Sequence, residues 1–215
     1  MNALGLLEVY SFTTAVYAAD IAAKAAAVKV IAFDRNRPKS EAAPAPLVMV
    51  IKIEGNDAAV RAAIEAGKAY AKSEGKYIVS HVIPRPGEDV DKMAYLLDIN
   101  KDKYNKKLPK SFLGKDVELP QTDFAIGLLE ISGLVASVTG LDAMLKAADV
   151  RLIHTEKRLG GRLVTLIVKG SVSAVMAAID AGAAEAKPLG KMYGKAVIPN
   201  PHGEIMKFFD FETDN

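Results

Sequence analysis

The sequence predicts an α+β protein built from two tandem copies of one unit, each an antiparallel sheet covered by helices. Two offsets and one periodicity carry that reading. ALGLLEVYSF from Ala3 returns as AIGLLEISGL from Ala125, and Asp20 and Lys24 return as Asp142 and Lys146, all at an offset of 122 (3 to 125). Further on, Gly55 matches Gly170, Ala66-Gly67 matches Ala181-Gly182, and HVIPRPGE from His81 matches AVIPNPHGE from Ala196, at an offset of 115 (55 to 170). The first copy therefore carries seven extra residues between the two blocks (122 − 115). Within each copy, short β-branched runs alternate with stretches of helical spacing. A chain of 215 residues suits two domains of about 100 residues, each able to bury its own core.

The second copy gives the clearest text. AIGLLEI over 125–131 is short, apolar and bounded by Ser-Gly, as a buried strand should be. Leu134, Val138, Leu141 and Leu145 follow at helical spacing, with Asp142 and Lys146 four apart on a different face, which predicts an amphipathic helix. VRLIHT (150–155) and RLVTLIVKG (162–170) flank a glycine turn and read as two strands. Val172, Val175, Met176 and Ile179 mark a second helix that ends near Gly182 or Gly190. MYGKAVIP makes a last strand stopped by Pro199 and Pro201, and a short helical tail holds Ile205, Met206 and Phe209.

The first copy repeats this order over 4–9, 12–26, 28–33, 47–53, 57–72 and 77–83, with a tail helix over 91–100. Strand, helix, strand, strand, helix, strand is the order of a ferredoxin-like split βαβ unit. Ala18, Ala19, Ala22 and Ala23 in one helix, and Ala177, Ala178 and Ala181 in another, favour helix while adding little bulk, so neighbours can approach closely. Residues 1–100 thus form the first unit and 124–215 the second. Residues 101–123, with two prolines, a glycine and no clear period, form the linker.

Composition excludes several functions. Half of the residues are apolar and a quarter charged, a globular balance. Charged residues interrupt every hydrophobic stretch before the about 18–20 residues needed to span a bilayer, so no membrane partner is expected. The N-terminus lacks the ordered parts of an export signal, and a cytoplasmic location is expected. With no cysteine, there is no thiol nucleophile and no thiolate-held cluster. A formal charge of +2 does not imply nucleic acid. Lys101, Lys103, Lys106, Lys107 and Lys110 read as a solvated connector diluted by Asp98, Asp102 and Asp116, with nucleic-acid contact as the lesser reading.

Taken in order, AxGLLE, LDAMLKAADV, EKRLGG, LVTLIVKGSVSAVMAAIDAGAA and VIPNPHGE closely resemble bacterial microcompartment shell domains. AADIAAKAAAVKV, IKIEGNDAAVRAAIEAG and HVIPRP extend the resemblance through the first copy, so that it covers about nine-tenths of the chain. The resemblance implies a tandem-domain shell protein of the unpermuted type, since each copy starts with the AxGLLE strand. It further implies three chains forming a flat pseudohexamer with a central pore for small metabolites. Other microcompartment shell proteins would meet its edges, and encapsulated enzymes would be possible partners. Some unpermuted tandem shell proteins hold an iron–sulfur cluster at the pore through a cysteine. This chain has none, and no cofactor is expected.

Candidate functional residues follow from that resemblance. Glu156 to Arg162 can be merely a tight hairpin. In the resembled domains this turn faces the symmetry axis, which would make Lys157, Arg158, Leu159, Gly160, Gly161 and Arg162 pore residues. The first copy's longer loop, 34–47, would add Arg35, Asn36, Arg37, Pro38, Lys39 and Ser40, opposed by Asp34 and Glu41, for a net positive rim. Its prolines restrict the backbone and remove amide donors. Lys24 and Lys146 read either as solvated helix lysines, paired with Asp20 and Asp142 for about 0.2–0.5 kcal/mol each, or as the family's edge lysines. Arg85 fits the second edge position in the first copy, Asn200 replaces it in the second, and His202 lies beside it.

His81, His154 and His202 have no partner at metal-ligand spacing, and no nucleophile–base pair is visible. The expected function is a non-enzymatic structural tile with an anion-favouring or gated pore. The alternative is a ligand- or cofactor-binding regulatory or carrier module that uses the loop 34–47.

Overall fold

The structure, a computed structural model, describes residues 2–38, 42–88, 90, 94, 122–156 and 162–209. The first copy supplies β1 (Ala3–Tyr10), α1 (Phe12–Ala25), β2 (Lys29–Asn36), β3 (Val48–Gly55), α2 (Asp57–Ser73) and β4 (Tyr77–Ile83). The second supplies β5 (Ala125–Ser132), α3 (Leu134–Ala147), β6 (Val150–Glu156), β7 (Leu163–Gly170), α4 (Val172–Ala186) and β8 (Met192–Pro199), followed by α5 (Gly203–Met206). Each copy forms a four-stranded antiparallel sheet, in the orders β2-β3-β1-β4 and β6-β7-β5-β8, as the sequence leads one to expect.

The repeat extends to register. Ala3 faces Gly55 as Ala125 faces Gly170, so the two sequence offsets are also the offsets of paired strands. The irregularity between Glu8 and Val9 recurs between Glu130 and Ile131, and the one between Val30 and Ala32 recurs between Leu152 and His154. The extra residues of the first copy fall after Asp34, the match of Glu156: 35–47 stand against 157–162, with Arg35 and Asn36 prolonging β2 and the rest in its connection to β3. β2 runs three residues past the expected Phe33 because Asp34, Arg35 and Asn36 keep pairing with β3.

Glycine decides how closely helix and sheet approach. A Cβ on Gly5 would lie 2.7 Å from side chains of Ile53 and Val60, and one on Gly127 would lie 2.7 Å from Ile179 and Val175. The glycine of each AxGLLE strand is therefore the seat of the second helix of its copy. α4 continues through Gly182 to Ala186, beyond the first of the two expected stops, and Gly190 lies in the turn that follows. Ser171 caps its start by accepting from Ala174 N at 3.2 Å.

The expected apolar face of α3 is corrected. Of the expected set only Leu141 packs against the core; Leu134, Val138 and Leu145 are exposed, at 68%, 59% and 46%, whereas Ala136, Ser137, Gly140 and Met144 are buried. Asp142, four residues after Val138, shares the exposed side. Small residues let α3 lie against α4, and this close packing outweighs the burial of the larger side chains on the opposite face. Val172 and Met176 of α4 are likewise exposed, and only Val175 and Ile179 of that expected set are buried.

Two compact units emerge. The first holds the described residues of 2–10 and 14–94 with His202–Phe208. Its core includes Leu7, Phe33, Ile51, Ile53, Val60 and Ile64. Phe208 meets Phe33 edge-on at 5.0 Å, and Glu204 accepts a 2.7 Å hydrogen bond from Val30 N. The second holds Ser11–Thr13, the described residues of 122–201, and Phe209. Leu129, Ile131, Met144, Leu166, Val168 and Ile179 lie in its core. The tail helix expected over 91–100 lies outside the described residues apart from Ala94, which is helical and buried. The linker over 101–123 does too, apart from Thr122 and Asp123.

Candidate functional site

The β2–β3 connection begins on a neutralised acid. Asp34 is buried on β2, and its Oδ2 meets Lys52 Nζ of β3 at 2.5 Å. Asp34 thus does not oppose the loop's cations as the sequence reading supposed. Arg35, Asn36 and Arg37 are exposed and Pro38 is half-buried, with Arg37 N donating to Asn36 Oδ1 at 2.8 Å. Lys39 and Ser40, expected on the same rim, lie outside the described residues, as does Glu41.

The β6–β7 connection has an acid at the same repeat position. Glu156 ends β6 and is buried, with His154 Nε2 3.6 Å from its Oε2, an ion pair when the imidazole is protonated. Lys157, Arg158, Leu159, Gly160 and Gly161 lie outside the described residues. Arg162 is exposed at φ 62, and its carbonyl accepts from Gly133 N at 2.9 Å, which ties the loop's end to the start of α3.

The candidate edge residues divide by environment. Lys24 meets Asp20 and Lys146 meets Asp142, each at 2.6 Å with i, i+4 spacing. The Asp20 side chain is 1% exposed and that of Asp142 is 59% exposed, so the two pairs differ although the residues are the same. Asp20 also accepts from His202 N at 2.6 Å within the first unit. His202 Nδ1 accepts from Glu204 N at 3.1 Å and caps α5. Arg85 after β4 and Asn200 after β8 are both exposed, and Asn200 takes φ 44.

Sequence reasoning missed a carboxylate with three hydrogen-bond donors. Glu130, fully buried in β5, accepts from Ser11 Oγ at 2.5 Å, Thr13 N at 3.0 Å and Phe12 N at 3.3 Å, all inside the second unit. A buried carboxylate demands such donors, and three of them at a helix start satisfy it. The available signal was a glutamate in the otherwise apolar strands LGLLEV and IGLLEI. Among the described residues, no three His, Asp or Glu side chains group to hold a metal. Among them also, no helix is long and apolar enough to cross a membrane.

A duplicated sheet with matching bulges and unequal loops defines a tandem-repeat protein, and comparison with known proteins agrees. The BMC domain matches residues 3–86 and again 125–201. The carboxysome assembly protein CcmO of Synechococcus sp. is 33% identical over 205 residues, 95% of this chain and 67% of that protein. The bacterial microcompartment shell protein EutM of Salmonella typhimurium is 47% identical over 85 residues, 40% of this chain and 88% of EutM. A solved microcompartment protein from Desulfitobacterium hafniense DCB is 23% identical, covering 96% of this chain and 99% of that one, with a TM-score of 0.37. The chain belongs to the BMC-domain family of bacterial microcompartment shell proteins and carries the domain twice.

Proposed function

We propose that this protein is a structural, non-catalytic tile of a microcompartment shell, in which three chains close into a pseudohexamer around a central pore. The observation that carries the reading is the duplication itself, which repeats in strand order, register and bulge position while the β2–β3 and β6–β7 connections differ. Two near-equivalent units per chain give six positions from three chains. The names of EutM as a shell protein and CcmO as a carboxysome assembly protein support the shell role.

In this reading the two connections line the axis. Arg35, Arg37, Lys39, Lys157, Arg158 and Arg162 give the rim a positive field that concentrates small anionic metabolites, with an effect that weakens as salt rises. The ion pair of Asp34 with Lys52 supports a positive rim, because it removes one opposing charge. Lys24, Lys146, Arg85, Asn200 and His202 form edges toward other shell proteins. The test is conductance of reconstituted assemblies. Anions are expected to pass more readily than cations, and replacing Arg158 and Arg162 together by Glu is expected to invert that preference. An unchanged preference would place those arginines away from the pore.

A further inference from the structure

The two repeats differ in what meets the first turn of their first helix. In the second unit, Ser11–Thr13 lies on a cross-strand pair formed by Glu130 of β5 and Gly194 of β8. Glu130 accepts from the Ser11 hydroxyl and from Phe12 N and Thr13 N. A Cβ on Gly194 would stand 2.9 Å from Thr13 Cβ and 3.2 Å from Ser11 Oγ, so this position must be glycine for the turn to seat.

The equivalents of both parts exist in the chain but make no such contact among the described residues. The equivalent turn is Gly133–Val135, whose helix α3 has no side-chain cap and whose Leu134 and Val135 are 68% and 71% exposed. Phe12 and Thr13, their counterparts, are 1% and 2% exposed. The equivalent cross-strand pair is Glu8 of β1 and Val79 of β4. The Glu8 side chain has no hydrogen bond or ion pair among the described residues, and Val79 is 51% exposed.

These two vacant parts are complementary in charge and size. Glu8 carries the carboxylate that the positive start of α3 attracts. Ser11 has a side chain and meets Gly194, whereas Gly133 has none and would meet Val79, so bulk lost on one side is gained on the other. Ser11 and Gly133, at the same repeat position before their helices, both take positive φ, at 77 and 99.

We propose that Gly133–Val135 of one chain docks on the Glu8–Val79 pair of a second copy of this chain, with Glu8 accepting from the backbone N–H groups of Leu134 and Val135. The contact is heterologous, so repeating it gives a ring when the rotation between copies closes, as three chains would require, and an open filament when it does not. Leu134, Val135 and Val138 are then covered, as Phe12, Thr13 and Val16 already are. This rests on the trimer reading above and names the surfaces that would make it.

The chain has no cysteine, so Val79→Cys with Val135→Cys introduces the sole thiols. After gentle oxidation of the full-length double variant, denaturing non-reducing gels are expected to show covalent trimer, with mass spectrometry mapping the bond to positions 79 and 135. Each single variant is expected to remain unlinked. In parallel, Glu8→Lys is expected to weaken self-association at least tenfold, and Glu8→Gln by less. Native mass before oxidation separates the two ideas. A monomer overturns the trimer reading itself, whereas a native trimer without the crosslink and indifferent to Glu8→Lys overturns this contact and leaves the trimer standing.

Discussion

Gly140 and Gly182 bring α3 and α4 together backbone to backbone. A Cβ on Gly182 would stand 2.9 Å from the Gly140 carbonyl oxygen and 2.4 Å from Met144 Cγ, closer than any real side chain approaches. The first copy has the same arrangement, since a Cβ on Gly67 would meet the Ala18 carbonyl oxygen at 2.9 Å. Replacing Gly182 by Val should therefore force the helices apart and lower stability by about 1–3 kcal/mol. Urea unfolding of the variant measures this, and an unchanged midpoint would mean that the helices separate at no cost.

Removal of one partner from the Asp34–Lys52 pair should cost more than removal of both. Lys52→Met leaves the Asp34 carboxylate buried without the ammonium 2.5 Å away, and about 3–5 kcal/mol of stability is expected to be lost. Pairing Asp34→Leu with Lys52→Met should recover most of that loss, because no buried charge remains. A double variant as unstable as the single one would assign the loss to packing instead of charge.

Tyr70 should register alkaline pH late. Its phenol is pushed above the ordinary 10.0, chiefly by burial and then by the charges of Glu74 and Tyr17, whose ring lies 4.6 Å away. The folded state thus keeps a proton that the unfolded state releases near pH 10. The corresponding stability is complete below that pH and is lost progressively as pH rises toward the folded value. Ultraviolet titration should show one of the seven tyrosines lagging, and Tyr70→Phe should remove the lag and flatten the alkaline fall in Tm. A lag that survives the substitution would assign it to another tyrosine.

Lys24 and Lys146, proposed above as edge residues, should control assembly more than folding. Lys146→Asp is expected to leave native mass and Tm nearly unchanged, since its exposed i, i+4 pair with Asp142 contributes only about 0.2–0.5 kcal/mol, whereas adding Lys24→Asp should also lower Tm because its partner Asp20 is buried, with native mass kept. Sheets or shells seen by electron microscopy should be lost, because an edge contact is repeated across the lattice. Intact sheets would make these ordinary surface lysines.

The fold was legible because each copy states it independently. β4 and β8 were read to their ends, and the offset from Ala3 to Ala125 anticipated equal strand registers. The face of α3 was not legible, since helical spacing counts large apolar residues while burial followed the small Ala136 and Gly140. Glu130 escaped notice because its donors, Ser11 to Thr13, are more than a hundred residues away, and nothing local signals that pairing. Asp34, which in sequence reads as opposing the loop's own cations, finds Lys52 only through the β2–β3 register.

Two unequal repeats in one chain should be completed by two further chains. Multi-angle light scattering of the purified full-length protein at micromolar concentration tests it most directly. A single folded species with three times the chain mass of 22.9 kDa is expected. A folded species at 22.9 kDa under the same conditions would contradict it.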